Sequence, residues 1–330
     1  MIDQIGNTPL TKSETLSERY QCQIYIKEEF HNPGMSSKDR AALYMIRDAE
    51  IKNFLKPGYT IVEASSGNTG IGIALIAREL GYKCHIFMSS KGSQEKVTLL
   101  NSMGAEVTIC QNSNGPKDPN SSQARAKAYH EQHPRSYFCN QYFNQANIDA
   151  HYYMTGPEIW TQSLGKVSHI IAGVGTGGTI SGLGRYFKER KPPVDILAVD
   201  PEGSILTNYH LNGIIDATPR KYLIEGIGRH FIPGALDFSV IDQFIQVSDL
   251  EAVEAAHSFK KISGYLSGFS SAAVLAALDK LNQQQPFKKN DFVVLFFADH
   301  GNRYISKLYN SNWLEKELGY TYSEGNELSS

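Results

Sequence analysis

Short apolar runs rich in β-branched residues alternate along this chain with longer stretches whose apolar positions recur every three to four residues. In the first half the pattern predicts strands over 60–63, 84–88, 106–110 and 137–139, and helices over 71–80, 93–103, 124–133 and 149–163. Gly104 closes the second of those helices. The second half repeats the theme, with strands over 167–174, 194–199 and 292–297 and helices over 180–190, 251–262 and 271–282, and a last helix running to about residue 318. Such alternation predicts an α/β fold in which mainly parallel sheets are covered on both faces. Sheets of that kind bind ligands beyond the carboxyl ends of their strands. The polar stretch 111–122 is expected to be mobile and the polar tail 319–330 frayed.

Two strand–loop–helix junctions carry the candidate chemistry. Ser65-Ser66-Gly67-Asn68-Thr69-Gly70 and Gly175-Thr176-Gly177-Gly178-Thr179 each offer backbone N–H groups and the positive end of a helix dipole to an anion. Upstream, a lone lysine stands in Ser36-Ser37-Lys38-Asp39-Arg40, after the turn sequence Asn32-Pro33-Gly34-Met35. Lys38 opens an apolar-faced helix, where it opposes the macrodipole; that lowers its pKa, as an imine-forming amine needs. Two anion cradles and one placed amine suit an amino-acid carboxylate, a cofactor phosphate and a Schiff base. The plain alternatives are a solvated lysine and glycines needed only for tight turns. Gly173-Val174-Gly175-Thr176-Gly177-Gly178 also fits G-x-G-x-x-G, with Asp200 downstream as a dinucleotide site would want. The hydroxyls of Thr176 and Thr179 suit a terminal phosphate better.

Composition narrows the classes. The 330 residues are 41% hydrophobic, enough for a core, and Lys+Arg 32 against Asp+Glu 34 gives a net charge of -2 with no basic block, which argues against a nucleic-acid partner. The start lacks the marks of a signal peptide and no apolar run is long enough to span a bilayer, so a cytoplasmic protein without membrane contact is expected. Cys22, Cys84, Cys110 and Cys139 show no C-x-x-C spacing and are expected as buried free thiols. His130 and His133 share a helix face without an acidic or cysteine partner, so no metal is expected.

The residues closely resemble the pyridoxal-phosphate enzymes of the cysteine synthase and cystathionine β-synthase family, fold type II. The resemblance runs from Gly6-Asn7-Thr8-Pro9-Leu10 through Lys38-Asp39-Arg40, Ser66-Gly67-Asn68-Thr69-Gly70 and Gly175-Thr176-Gly177-Gly178-Thr179 to Glu225-Gly226-Ile227-Gly228, over nearly the whole chain. It implies pyridoxal 5'-phosphate as cofactor and two lobes, each a mainly parallel twisted sheet flanked by helices. Residues 1–148 would form the first lobe, with a movable substrate-binding part and an N-terminal segment packed on the other lobe; 149–318 would bind the cofactor phosphate. Lys38 would hold the cofactor aldehyde as an imine and then act as base on the α-proton. Asn68 would hydrogen-bond the 3′-oxygen, and Ser270 would face the pyridine nitrogen. Ser65, Ser66, Asn68, Thr69 and Gln141 would grip the substrate carboxylate, and Gly175, Thr176, Gly177, Gly178 and Thr179 the phosphate.

The implied reaction is β-replacement on serine or an activated serine by a thiol, in a homodimer. Val199-Asp200-Pro201-Glu202-Gly203-Ser204-Ile205-Leu206, Phe231-Ile232-Pro233 and the segment Asp299-His300-Gly301-Asn302-Arg303-Tyr304 look more like cystathionine β-synthases than plain cysteine synthases, which favours homocysteine as the thiol. Three departures stand out: Ala272 in place of a frequent glycine, Ser37 in place of valine or isoleucine, and Arg229-His230 in place of an aromatic–acidic pair. The last keeps sulfide with O-acetylserine open. No haem-binding extension or tandem regulatory module is read in the chain, so regulation by haem or a nucleotide-type effector is not expected. A non-catalytic scaffold of the same fold is the non-enzyme alternative, against which intact Lys38, Asn68 and Ser270 argue.

Overall fold

The apolar run Phe292–Phe297 is buried along its whole length and forms an interior strand of a six-stranded sheet in the computed structural model, which describes residues 1–90, 94–111, 118–215 and 218–321. The strands are β1 (Leu10–Lys12), β2 (Gln23–Glu28), β3 (Thr60–Ala64), β4 (Lys83–Ser89), β5 (Glu106–Cys110), β6 (Ser136–Phe138), β7 (His169–Gly173), β8 (Asp195–Pro201), β9 (Gln243–Val247) and β10 (Phe292–Phe297). The helices are α1 (Glu14–Tyr20), α2 (Lys38–Ile51), α3 (Asn68–Leu80), α4 (Gln94–Ser102), α5 (Ser122–Gln132), α6 (Gln145–Ala150), α7 (Gly156–Gln162), α8 (Gly178–Lys188), α9 (Leu206–Asn212), α10 (Asp249–Ser263), α11 (Phe269–Gln284) and α12 (Ser311–Leu318).

The larger sheet has the order β1-β2-β10-β7-β8-β9, parallel except for β1, and the smaller one, β5-β4-β3-β6, is parallel throughout. Chain order and sheet membership therefore part company at the start, since β1 and β2 join the sheet of the second half. Helices cover both faces of each sheet. Val253, Phe259 and Val274 of α10 and α11 pack on one side of the large sheet and Ile180, Leu183 and Phe187 of α8 on the other. The small sheet lies between Met45 and Ile73 of α2 and α3 and Ala126 of α5. Each of the larger side chains among these, fully withdrawn from water, contributes about 1.5–3 kcal/mol.

Most pattern-based boundaries hold to within a few residues, and the exceptions have local causes. The single helix expected over 149–163 is α6 and α7 joined by a π-helical turn, His151–Thr155. Pro157 sits in the first turn of α7 and has no N–H for the carbonyl four residues back, so the ladder opens there. The helix expected after residue 297 is a 3-10 turn, Gly301–Tyr304, and then α12, whose start is fixed by Asn310 accepting from the Trp313 N–H at 2.9 Å. Residues 112–117 of the segment expected to be mobile, and 322–330 of the expected tail, lie outside the described residues. All four cysteines are buried and unpaired. No described helix is long and apolar enough to cross a membrane.

Candidate active site

A cavity of about 610 Å³ opens where the carboxyl ends of β3, β7 and β10 converge. Lys38, Ser65, Ser66, Asn68, Thr69, Gln141, Gly175, Thr176, Gly177, Thr179 and Ser270 all line it, although the sequence scatters them over more than 230 positions. Gly178 is the one predicted site residue off the wall. It starts α8, its amide donates to the Thr176 hydroxyl at 3.3 Å, and a Cβ there would overlap the Asn147 amide.

Lys38 owes its place to the strand beside it. The Ser37 N–H donates to the Ala298 carbonyl just beyond β10, at 2.9 Å, which brings the first residue of α2 to the cavity floor. The amine donates to Ser37 Oγ at 3.2 Å and pairs with no carboxylate among the described residues. Burial holds it below the ordinary lysine range; Asp299 pulls the other way and the Arg229 charge lowers it further.

The 65–70 loop braces itself. Ser65 Oγ accepts from Gly67 N and Gly70 N at 3.2 and 3.0 Å, and Ser66 Oγ accepts from Ser89 N at 3.0 Å. Both hydroxyls thereby help set the loop's shape, and accepting these bonds leaves a hydroxyl its own O–H to donate. At Gly67 no described protein atom lies within 4 Å of where a Cβ would stand, so packing does not demand the glycine there. It leaves the backbone bare on the cavity side. Thr69 donates to Gln141 Oε1 at 2.7 Å, and Gln141 Nε2 donates to the Ala64 carbonyl at 3.0 Å. Underneath, Glu63 accepts from Ala64 N and Gln141 N, while burial pushes its carboxyl up to about 8.

The second cradle is rigid for a different reason. Gly177 has φ +90, and a Cβ there would come within 2.6 Å of Leu236 Cα, so no other residue fits. Asn147 donates to Thr176 Oγ1 at 2.9 Å and to the Gln141 carbonyl at 2.8 Å, tying the two cradles together. Thr179 Oγ1 meets His151 Nε2 at 3.1 Å. Burial, with the nearby Lys38 charge, holds His151 well below its usual range, so it is neutral. An amine without a carboxylate, facing an N–H and hydroxyl cradle at the start of an eleven-residue helix, fits an aldehyde that carries a phosphate.

Several wall residues escaped the sequence reading. Asn68 donates to Asp299 Oδ2 at 2.7 Å and accepts from Arg303 Nη1 at 2.8 Å, which leaves one amide hydrogen for a ligand. Tyr304 donates to the same Asp299 oxygen at 2.7 Å, while Oδ1 is buried without a partner. At the mouth Lys96 reaches Glu225 at 3.0 Å and Lys307 pairs with its other oxygen. Burial would raise Glu225, but the two lysines outweigh it and hold it below the ordinary carboxylate range. Asp200, the candidate ribose ligand, lies off the cavity and accepts from Thr207 N and Oγ1 at 3.1 and 2.9 Å. His130 bonds Ser136, His133 stacks on Tyr129, and no metal-ligating cluster gathers among the described residues.

The model of the pyridoxal-phosphate dependent enzyme family matches residues 1–299. A cystathionine beta-synthase of Apis mellifera is 42% identical over 319 residues, which cover 96% of this chain and 62% of that protein. Cysteine synthase 1 of Neurospora crassa is 38% identical over 318 residues, 95% of this chain and 84% of that one. Among solved structures, O-ureido-L-serine synthase superposes with a TM-score of 0.86 at 28% identity, covering 99% of this chain and 96% of the other. The chain spans less than two thirds of the cystathionine beta-synthase it matches.

Proposed function

The chain belongs to the pyridoxal-phosphate-dependent enzyme family, and from this we propose that it catalyses β-replacement, joining serine or an activated serine to a thiol, with homocysteine the acceptor. The observation that carries the reading is the Lys38 amine, which pairs with no carboxylate among the described residues and shares one cavity with two cradles built for anions. Bound pyridoxal phosphate supplies the electron sink that lets the α-proton and the β-substituent leave. Lys38 Nζ would hold the cofactor and, once released, take the α-proton; burial lowers its pKa from the ordinary lysine range, in the direction a base needs. The Thr176 and Thr179 hydroxyls with the loop amides hold the phosphate. Asn68, aimed by Asp299 and Arg303, would use its remaining amide hydrogen for the cofactor's ring oxygen. Ser270, on the cavity wall, would offer the pyridine nitrogen a neutral hydroxyl, which, unlike a carboxylate, would not keep that nitrogen protonated. Backbone amides of 65–69 with Gln141 fix the donor carboxylate.

Homocysteine is favoured by the motif resemblance and supported by the 42% identity to a cystathionine beta-synthase, while the 38% identity to a cysteine synthase keeps sulfide as the second reading. Serine, O-acetylserine and O-phosphoserine, each tested against sulfide, homocysteine and cysteine with mass-spectrometric detection, decide between them. Cystathionine formed fastest is the expected outcome; cysteine from sulfide formed faster overturns the homocysteine assignment. The reading also carries a division into lobes 1–148 and 149–318 and a homodimer in the cytoplasm, for which light scattering and localisation are the tests.

Thr176→Val tests the phosphate cradle. It removes a hydroxyl from an anion site, a loss of about 1.5–3 kcal/mol, so cofactor affinity measured by equilibrium dialysis should fall by at least tenfold. Unchanged affinity would move the phosphate elsewhere. Gly177→Asp is no substitute, because the overlap with Leu236 would disturb the fold itself.

A further inference from the structure

Arg229 is a cation of the cavity wall that no carboxylate takes up among the described residues. Its neighbours at the mouth are committed: Lys96 and Lys307 to Glu225, and Lys221 to Glu317. Asp200 feels the Arg229 charge but lies beyond ion-pair distance. The guanidinium is nevertheless held in place. Nη1 donates to the Gly228 carbonyl, Cζ stands 5.1 Å from the centre of the Tyr142 ring, and Nη2 is 3.3 Å from where a Cβ on Gly175 would be. Nε is buried without a hydrogen-bond partner. An oriented, partly desolvated donor of this kind costs stability until an anion meets it.

The anions of the proposed reaction can be placed one by one. The cofactor phosphate has the Thr176–Thr179 cradle and the donor carboxylate has the 65–69 loop. What remains is a carboxylate on the acceptor, and Tyr222 and Trp313 line the same mouth as a wall for a short carbon chain. Resting on the β-replacement reading, we propose that Arg229 binds the carboxylate of the thiol acceptor and thereby sets a preference for acidic thiols over sulfide.

The test uses the holoenzyme, the variants Arg229→Met and Arg229→Lys, and four acceptors: homocysteine, 3-mercaptopropionate, 1-propanethiol and sulfide. In Arg229→Met the ratio of kcat/KM for the two carboxylate-bearing thiols to that for propanethiol should fall on the order of 10–100-fold, mainly through KM, with partial recovery in Arg229→Lys. An unmoved ratio overturns the proposal. So does an equal loss for all four acceptors together with weakened cofactor binding, which would make Arg229 a phosphate ligand. A wild type that makes no product with any thiol overturns the β-replacement reading instead. Calorimetric titration with 3-mercaptopropionate then still decides the assignment, since weaker binding to Arg229→Met supports it and equal binding overturns it.

Discussion

Lys38→Ala should abolish turnover, on the order of 10⁴-fold or more, while leaving the fold intact. Two functions depend on one nitrogen in the proposed mechanism, covalent hold on the cofactor and removal of the α-proton, so their loss does not divide into a partial defect. Stability should move the other way. The amine is desolvated, is held by a single hydrogen bond to Ser37 at 3.2 Å, and sits at the positive end of α2, where a cation opposes the dipole. Alanine removes that cost, so the cofactor-free variant should melt no lower than cofactor-free wild type. The checks are product formation, loss of the yellow colour that borohydride bleaches in wild type, and a melting curve. Turnover within tenfold of wild type would remove Lys38 from the mechanism.

The separation of function from stability at Lys38 matches how legible each part was. The strand at 292–297 is apolar at every position because both of its faces are covered, and such a run announces itself. β2 does not, since its alternation ends in Lys27, a residue fully buried because its amine reaches the Thr8 carbonyl, Glu158 and Gln162 at 2.8, 2.7 and 2.9 Å. A pattern rule scores that lysine as solvent-facing. In the site, loops whose chemistry is local could be read directly, as with Gly175 to Thr179. Partners supplied from far along the chain could not: Asn68 and Asp299 are 231 positions apart, and Glu225 takes one lysine from α4 and another from just before α12. Asn147 and His151 likewise look like ordinary helix residues until α6 and the π turn are seen against Thr176 and Thr179.

The largest stability loss should come from the buried ion cluster that fixes the helix carrying Lys38. Arg40, fully buried two residues along α2, donates from Nε and Nη2 to Glu29 at 2.7 and 2.8 Å and from Nη1 and Nη2 to Glu158 at 2.5 and 2.7 Å. Burial alone would raise Glu29, but Arg40 and Lys27 outweigh it and hold the carboxyl below its ordinary range. Arg40→Met keeps much of the side-chain volume but leaves Glu29 buried without its bidentate partner. Removing one member of a buried pair costs about 3–5 kcal/mol, a fall in melting temperature of roughly 4–7 °C for a chain of this length. The pH dependence gives the loss a signature. In wild type the depressed Glu29 contributes stability above the unfolded carboxyl range and loses it on acidification, whereas in Arg40→Met desolvation raises the same carboxyl, so that variant loses stability as pH increases. The gap between the two should therefore be widest near pH 8 and shrink towards pH 5. Adding Glu29→Gln to Arg40→Met should recover part of the loss, because the stranded charge goes with it. A single variant within about 1 kcal/mol of wild type at pH 8, or a gap that widens on acidification, would mean that hydrophobic packing of α2 rather than this cluster holds Lys38 at the cavity floor.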